Sequence, residues 1–122
     1  MNKILVTGGC GFIGSHLVEY LLKSNYEVSV FDKYNSFNQF GCLNESKFKN
    51  DIDFYMADIR DFDAVNKAVK NNDIILHLAA LIGIPYSYFS PLAYINTNIL
   101  GTYNILESVK NNNKSQVIIT ST

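Results

Sequence analysis

A chain of 122 residues, 48% hydrophobic and 17% charged, holds one domain and enough apolar surface for a packed core, which excludes disorder as its resting state. Ten Lys and Arg against eleven Asp and Glu leave a net charge of −1 with the basic residues scattered singly, so neither nucleic acid nor an acidic membrane finds an electrostatic footprint. No apolar run reaches the roughly 18 residues of a membrane span, and the opening MNKILVTGG reads as a first strand rather than a signal peptide, so a cytoplasmic protein is expected. Cys10 and Cys42 have no CxxC or metal-ligand spacing and are expected to be two reduced thiols, with no metal site.

The short apolar run Ile4 to Thr7 stops at glycine, as a buried parallel strand does. Phe12, Ile13, Leu17, Tyr20 and Leu21 recur at helical spacing through Lys23. Glu27 to Phe31 is a second β-rich run, ending at Asp32. Residues 33 to about 50 form a long connection with scattered aromatics, of a length that tends to carry a function. Asp53 to Ala57 is the third strand, closed by Asp58, and Asp61 caps a helix through Ala64, Val65, Ala68 and Val69 with Lys67 and Lys70 toward its end. Ile74 to Leu78 is the fourth strand. A long amphipathic helix follows from about Pro91 to Asn111, with Ile95, Ile99, Ile105, Leu106 and Val109 on one stripe, and Gln116 to Thr120 is the fifth strand. Such alternation predicts an α/β fold with a doubly wound parallel sheet, right-handed crossovers and helices on both faces.

The chemistry concentrates at Thr7-Gly8-Gly9-Cys10-Gly11-Phe12-Ile13-Gly14, between the first strand and the first helix. Gly8 permits a tight turn, Gly11 lets the backbone approach a pyrophosphate, and Gly14 lets helix and strand pack closely. The phosphates then meet the free N–H groups of a helix N-terminus. Asp32, eighteen residues past Gly14, has the place of an acid that accepts both adenosine-ribose hydroxyls and repels a 2′-phosphate. This predicts a Rossmann-type dinucleotide-binding domain and NAD rather than NADP, with Lys33 softening the discrimination. Read more plainly, Asp32 is a solvated loop aspartate and Asp58 a turn residue before the helix. His77 and His16 are read as satisfied core histidines. The aromatics of 86–103 are read mostly as core or substrate-loop packing, with a border of a sugar site as the alternative for Tyr86 and Tyr88.

The ordered set TGGCGFIGSHL, FDKYN, ADIRD, HLAA, NTNILGTYNILE and a strand ending in TST resembles the extended short-chain dehydrogenase/reductase family, the NAD-dependent nucleotide-sugar epimerases and dehydratases, over the whole chain. The resemblance implies that Gly8, Gly11 and Gly14 line the pyrophosphate, with backbone contacts from Phe12 and Ile13. It places Asp32 at the ribose, Asp58 and Ile59 at the adenine, Leu78, Ala79 and Ala80 under the cofactor, and Asn98 beside it. Ser87 falls near the substrate, and Thr122 on the active-site Ser/Thr whose hydroxyl polarises the sugar's C4 oxygen. KYNSFNQFGCL and HLAALIGIPYSYFSPLAYINTNILGTYN look like the 4,6-dehydratases of GDP-mannose and UDP-N-acetylglucosamine type, with 4-epimerases sharing every visible motif. The family's Tyr-x-x-x-Lys occurs nowhere in the chain. The chain is therefore expected to be an N-terminal cofactor-binding fragment, 1–122, without the substrate domain and without turnover of its own, or else a non-catalytic NAD-binding module. A nucleotide sugar is the expected substrate of the full protein, and a homodimer through the long helix its expected assembly.

Overall fold

The apolar runs become five parallel strands, β1 (Lys3–Thr7), β2 (Glu27–Asp32), β3 (Ile52–Met56), β4 (Ile74–His77) and β5 (Gln116–Ile119), ordered β3-β2-β1-β4-β5. The computed structural model describes residues 2–33, 39–113 and 116–121. Side chains alternate across the sheet, so each strand feeds two cores. On one face Ile4, Val6, Val28 and Val30 meet Val18 and Leu21 of α1 (Phe12–Lys23), and Leu43 joins them from the connection after β2. On the other, Leu5, Phe31 and Ile75 meet Val65, Ala68 and Val69 of α2 (Phe62–Lys70). Burial on both faces is why β1 reads as a continuous apolar run through Ile4, Leu5 and Val6.

The predicted elements recur with shifts of a residue at their ends. Asp61 caps α2 as expected, its carboxylate accepting the N–H of Asp63 and Ala64 at 3.1 and 3.3 Å. The described part of the long connection holds two short 3₁₀ turns, Gly41–Leu43 and Lys49–Asp51. Phe40 stacks on Phe54 at 4.0 Å between ring centroids, which carries the connection back onto the sheet.

Three expectations are corrected. The helix after β4 is not one amphipathic stripe. It comprises α3 (Ile84–Phe89), then a continuous run of α4 (Pro91–Tyr94), a π-helical stretch Ile95–Leu100, and α5 (Gly101–Asn112). The wider π turn shifts the phase of the side chains, so Ile95, Ile99 and Leu106 are exposed while Gly101, Asn104, Ile105 and Ser108 face the sheet. The inward face is lined with small and polar residues because α5 lies close to the corner after β3. A Cβ on Gly101 would stand 2.7 Å from a methyl of Ile59, and Asn104 donates to the Ile59 carbonyl at 3.0 Å. Second, His16 is exposed, because α1 turns Gly14, Ser15, Val18 and Leu21 inward and leaves His16 outside, edge-on to Phe12. Third, of the two readings of the aromatics of 86–103, core packing is overturned for Tyr86, Tyr88, Phe89 and Tyr103, which are exposed (Tyr88 and Phe89 by 81% and 86%), while Tyr94 is half-buried.

Gly101→Ala tests this close approach. Alanine gains about 1 kcal/mol of helix propensity, but the crowding against the β-branched Ile59 costs about 1–3 kcal/mol. The clash wins, and denaturant unfolding is expected to show a net loss of roughly 1 kcal/mol.

Candidate nucleotide-binding site

β1 is flanked by β2 on one side and β4 on the other, so the chain's winding reverses at its carboxyl end and leaves a crevice there. Thr7 ends β1 level with Phe31 and His77. Gly8 leaves the strand with φ +72°, and its N–H donates to the Phe31 carbonyl at 2.8 Å. A Cβ there would stand 3.0 Å from the backbone of Ala79. Gly14 is tighter still, since a Cβ would run into the Gly8 carbonyl and lie 2.8 Å from the Gly9 Cα. Gly11 differs: its Cβ would meet only the Gly8 oxygen, at 3.3 Å, with open space beyond. Gly11 also precedes α1 with no side-chain cap and no acid in the first turn, and Phe12 and Ile13 are 75% and 72% exposed. An uncapped helix end under an empty cradle presents free N–H groups and the positive end of the helix dipole.

Asp32 lies at this bend. Its carboxylate accepts the N–H of Cys10 at 2.8 Å and that of Lys33 at 2.7 Å. Asp58 ends the neighbouring strand, where Arg60 holds it with its backbone N–H, Nε and Nη2 at 2.9, 2.9 and 2.6 Å. The guanidinium keeps the Asp58 carboxyl below the usual carboxylate range, with a smaller push from Lys33. Asp58, Arg60, Asp61, Asn96 and Leu100 line a shallow open depression. Ile59, next in the chain after Asp58, is buried.

The exit of β4 is wired to β1 through a buried polar chain. Thr7 Oγ1 accepts the N–H of Leu78 and of Ala79, both at 3.1 Å, and sits 2.7 Å from His77 Nδ1. Thr102 Oγ1 donates to the Asn98 carbonyl at 2.7 Å, so toward His77 Nε2, 3.1 Å away, it can only accept. His77 therefore carries its proton on Nε2, and Thr7 donates to Nδ1. Both ring nitrogens are satisfied in the neutral form, as expected of a core histidine, and burial pushes its pKa down to about 4.

The remaining candidates divide. Leu78 and Ala79 lie directly against the bend, with Ala80 next in the chain. Asn98 spends its amide on the backbone of Leu81, accepting at 2.8 Å and donating at 3.0 Å, so it shapes the exit of β4. Ser87 donates to the Ile84 carbonyl within α3, on the periphery of this cluster. Thr122 lies outside the described residues. Sequence reasoning missed Thr7, whose hydroxyl before the first glycine is the one available signal, and Arg60, whose hold on Asp58 is a two-residue local contact.

Among the described residues no helix is long and apolar enough to cross a membrane, and no three His, Cys, Asp or Glu side chains gather as metal ligands. A parallel sheet with a glycine bend at its switch point and an acid at the end of β2 defines a Rossmann-type nucleotide-binding fold. The family model described as GDP-mannose 4,6 dehydratase matches residues 5–122, and the chain belongs to that family. It is 38% identical over 130 residues to a dTDP-D-glucose 4,6-dehydratase of Dictyostelium discoideum, covering all of this chain and 29% of that protein. It is 35% identical over 128 residues to a UDP-glucose 4-epimerase of Rickettsia typhi, covering 99% of this chain and 36% of that one. Among solved structures, the UDP-glucose 4-epimerase of Thermus thermophilus in complex with NAD superposes with TM-score 0.82 at 33% identity, over 98% of this chain and 37% of that chain. Pen from Bacillus thuringiensis superposes with TM-score 0.87 at 30% identity over the same shares. The chain thus spans about a third of the length of the relatives it matches.

The His77 chain sets a pH dependence. The unfolded histidine takes a proton near pH 6.5, whereas the folded one resists until about 4. The unfolded state binds more protons in that window, so stability is complete above pH 6.5 and falls toward pH 4, by about 3 kcal/mol at most. Denaturant unfolding measured across this range is expected to show the decline, and His77→Gln to flatten it.

Proposed function

We propose that this chain binds NAD across the carboxyl ends of β1, β2 and β4 as the cofactor-binding part of a nucleotide-sugar 4,6-dehydratase. The observation that carries the reading is Asp32, whose carboxylate is tied to the N–H of Cys10 beside an open cradle at Gly11. In this reading Gly8, Gly11, Gly14 and the N–H groups of Phe12 and Ile13 hold the diphosphate. Asp32 accepts the ribose hydroxyls and repels a 2′-phosphate, with Lys33 moderating that repulsion. Asp58 and Ile59 border the adenine, while Leu78, Ala79 and Ala80 form the floor and Asn98 fixes that floor through Leu81. NAD held by these residues would supply reversible hydride acceptance at C4 of a hexose. Ser87 and Thr122 belong to the sugar side, Thr122 through a hydroxyl that hydrogen-bonds the C4 oxygen. The Thermus relative's complex with NAD supports the cofactor assignment.

The family model and the Dictyostelium relative favour dehydration, in which water is lost across C5 and C6 to leave a 4-keto-6-deoxy sugar. The Rickettsia and Thermus relatives favour a second reading, C4 epimerisation. Both start with the same C4 oxidation. The exposed apolar residues Leu92, Ile99, Tyr103 and Leu106 along the α4–α5 run support pairing of two copies in the full-length protein. The chain itself has no Tyr-x-x-x-Lys to move the C4 hydroxyl proton, so no turnover is expected from it alone.

Calorimetric titration tests the cofactor. NAD is expected to bind more tightly than NADP. Asp32→Ala should weaken NAD by roughly 10- to 100-fold, as loss of a hydrogen bond to a charged group does, and narrow the gap to NADP. Gly11→Val should cost about 1 kcal/mol of stability, because its Cβ meets the Gly8 oxygen at 3.3 Å and valine is a poor N-cap, yet leave the protein folded and abolish binding. Unchanged affinity in both variants would overturn the assignment. With the full-length enzyme, a 4-keto-6-deoxy product supports dehydration and a C4 epimer the second reading.

A further inference from the structure

The two cysteines, 32 positions apart in sequence, meet at the bend. The N–H of Cys42 donates to the carbonyl of Cys10 at 2.9 Å. Standard covalent dimensions around that hydrogen bond put the two Cα atoms no more than about 6.8 Å apart, within the range a disulfide spans. The approach is on the side-chain side of Cys10: a Cβ built on the preceding residue, Gly41, would stand 3.3 Å from the Cys10 Cβ and 2.6 Å from its carbonyl oxygen. Gly41 takes φ +55°, so the turn bends there to bring Cys42 to the bend. Both thiols are free; Cys42 is exposed and Cys10 half-buried.

We propose that Cys10 and Cys42 are a disulfide-forming pair that ties the 3₁₀ turn Gly41–Leu43 to the glycine bend by exchange with a small-molecule disulfide such as oxidised glutathione. The exposed Cys42 thiolate attacks one sulfur of oxidised glutathione, forming a mixed disulfide and releasing one glutathione thiolate. The Cys10 thiolate then attacks the Cys42 sulfur, forming the internal bond and releasing the second. Two protein thiols are oxidised, one glutathione disulfide is reduced, and the two protons lost by the cysteines pass to the two glutathione thiolates. Burial, reinforced by the Asp32 charge, pushes the Cys10 thiol up to about 12, so the closing step is the slow one. It should quicken about tenfold for each pH unit between neutrality and the thiol's pKa.

The test treats the reduced protein with oxidised glutathione, alkylates the remaining thiols, and reads intact mass and melting temperature. The expected product is a monomer lacking two hydrogens and free of alkylatable thiols. It should melt several degrees higher, because the bond shortens the loop open to the unfolded chain, and dithiothreitol should reverse both changes. Cys42→Ser should leave Cys10 alkylatable and the melting temperature unmoved by oxidant. A persistent glutathione adduct on Cys42 with Cys10 still alkylatable, crosslinking only between chains, or an internal bond that lowers the melting temperature would each overturn the proposal.

Discussion

The site depends on one close approach, the seating of the first turn of α1 on the backbone of Gly8 and Gly9. Gly14 has no room for a methyl group there, and Gly8 has none against Ala79. Only with both side chains absent does the helix start directly above the strand ends with its N–H groups aimed into the crevice. The third glycine obeys a different constraint. At Gly11 the backbone is ordinary and a Cβ would meet one atom, the Gly8 oxygen at 3.3 Å, with open space beyond, so the fold demands glycine there far less than at Gly8 or Gly14. Three glycines at equal spacing thus meet unequal constraints, separable by what a Cβ would touch.

Around that seat the strand ends are joined by polar atoms, each with an assigned partner. Thr7 accepts two backbone N–H groups and donates to His77, His77 donates to Thr102, and Thr102 donates to the backbone of the helix. Buried groups satisfied in this way hold β1, β4 and the α4–α5 run in mutual register, where an unmatched one would cost about 1–3 kcal/mol. Among the described residues the exceptions include the Ser29 hydroxyl on β2 and the Ser108 hydroxyl on α5, both buried with no hydrogen-bond partner.

Much of this was legible in the sequence because the signals were local. The strand, glycine bend and helix of 3–23 follow from apolar runs and glycine spacing, and Asp61 caps α2 because a cap acts over three residues. Asp32 could be placed at the end of β2 and was found at the bend. What escaped was non-local. The outward turn of Ile95 and Ile99 comes from a π stretch that no periodicity count over a uniform helix could anticipate. His16 falls outside the inward arc of α1, which Gly14, Ser15, Val18 and Leu21 define only once the helix is seated on the sheet. The use of Asn98 on Leu81, and the meeting of Cys10 with Cys42, depend on how far loops fold back, which composition does not encode.

The segment leaving β4 is pinned at its start by helix side chains. Asn98 grips Leu81, and the Tyr94 hydroxyl shares its proton between the carbonyls of Ile82 and Gly83 at 2.9 and 2.7 Å. Beyond Gly83 nothing in α3 is buried. Substitutions at the exposed positions of 84–90 therefore leave the buried contacts of the bend untouched, with Tyr86, which meets Tyr94, the position that links this helix to the pinned segment. The exposed face of 84–90 can thus change in character while the residues packed around the glycine bend stay as they are.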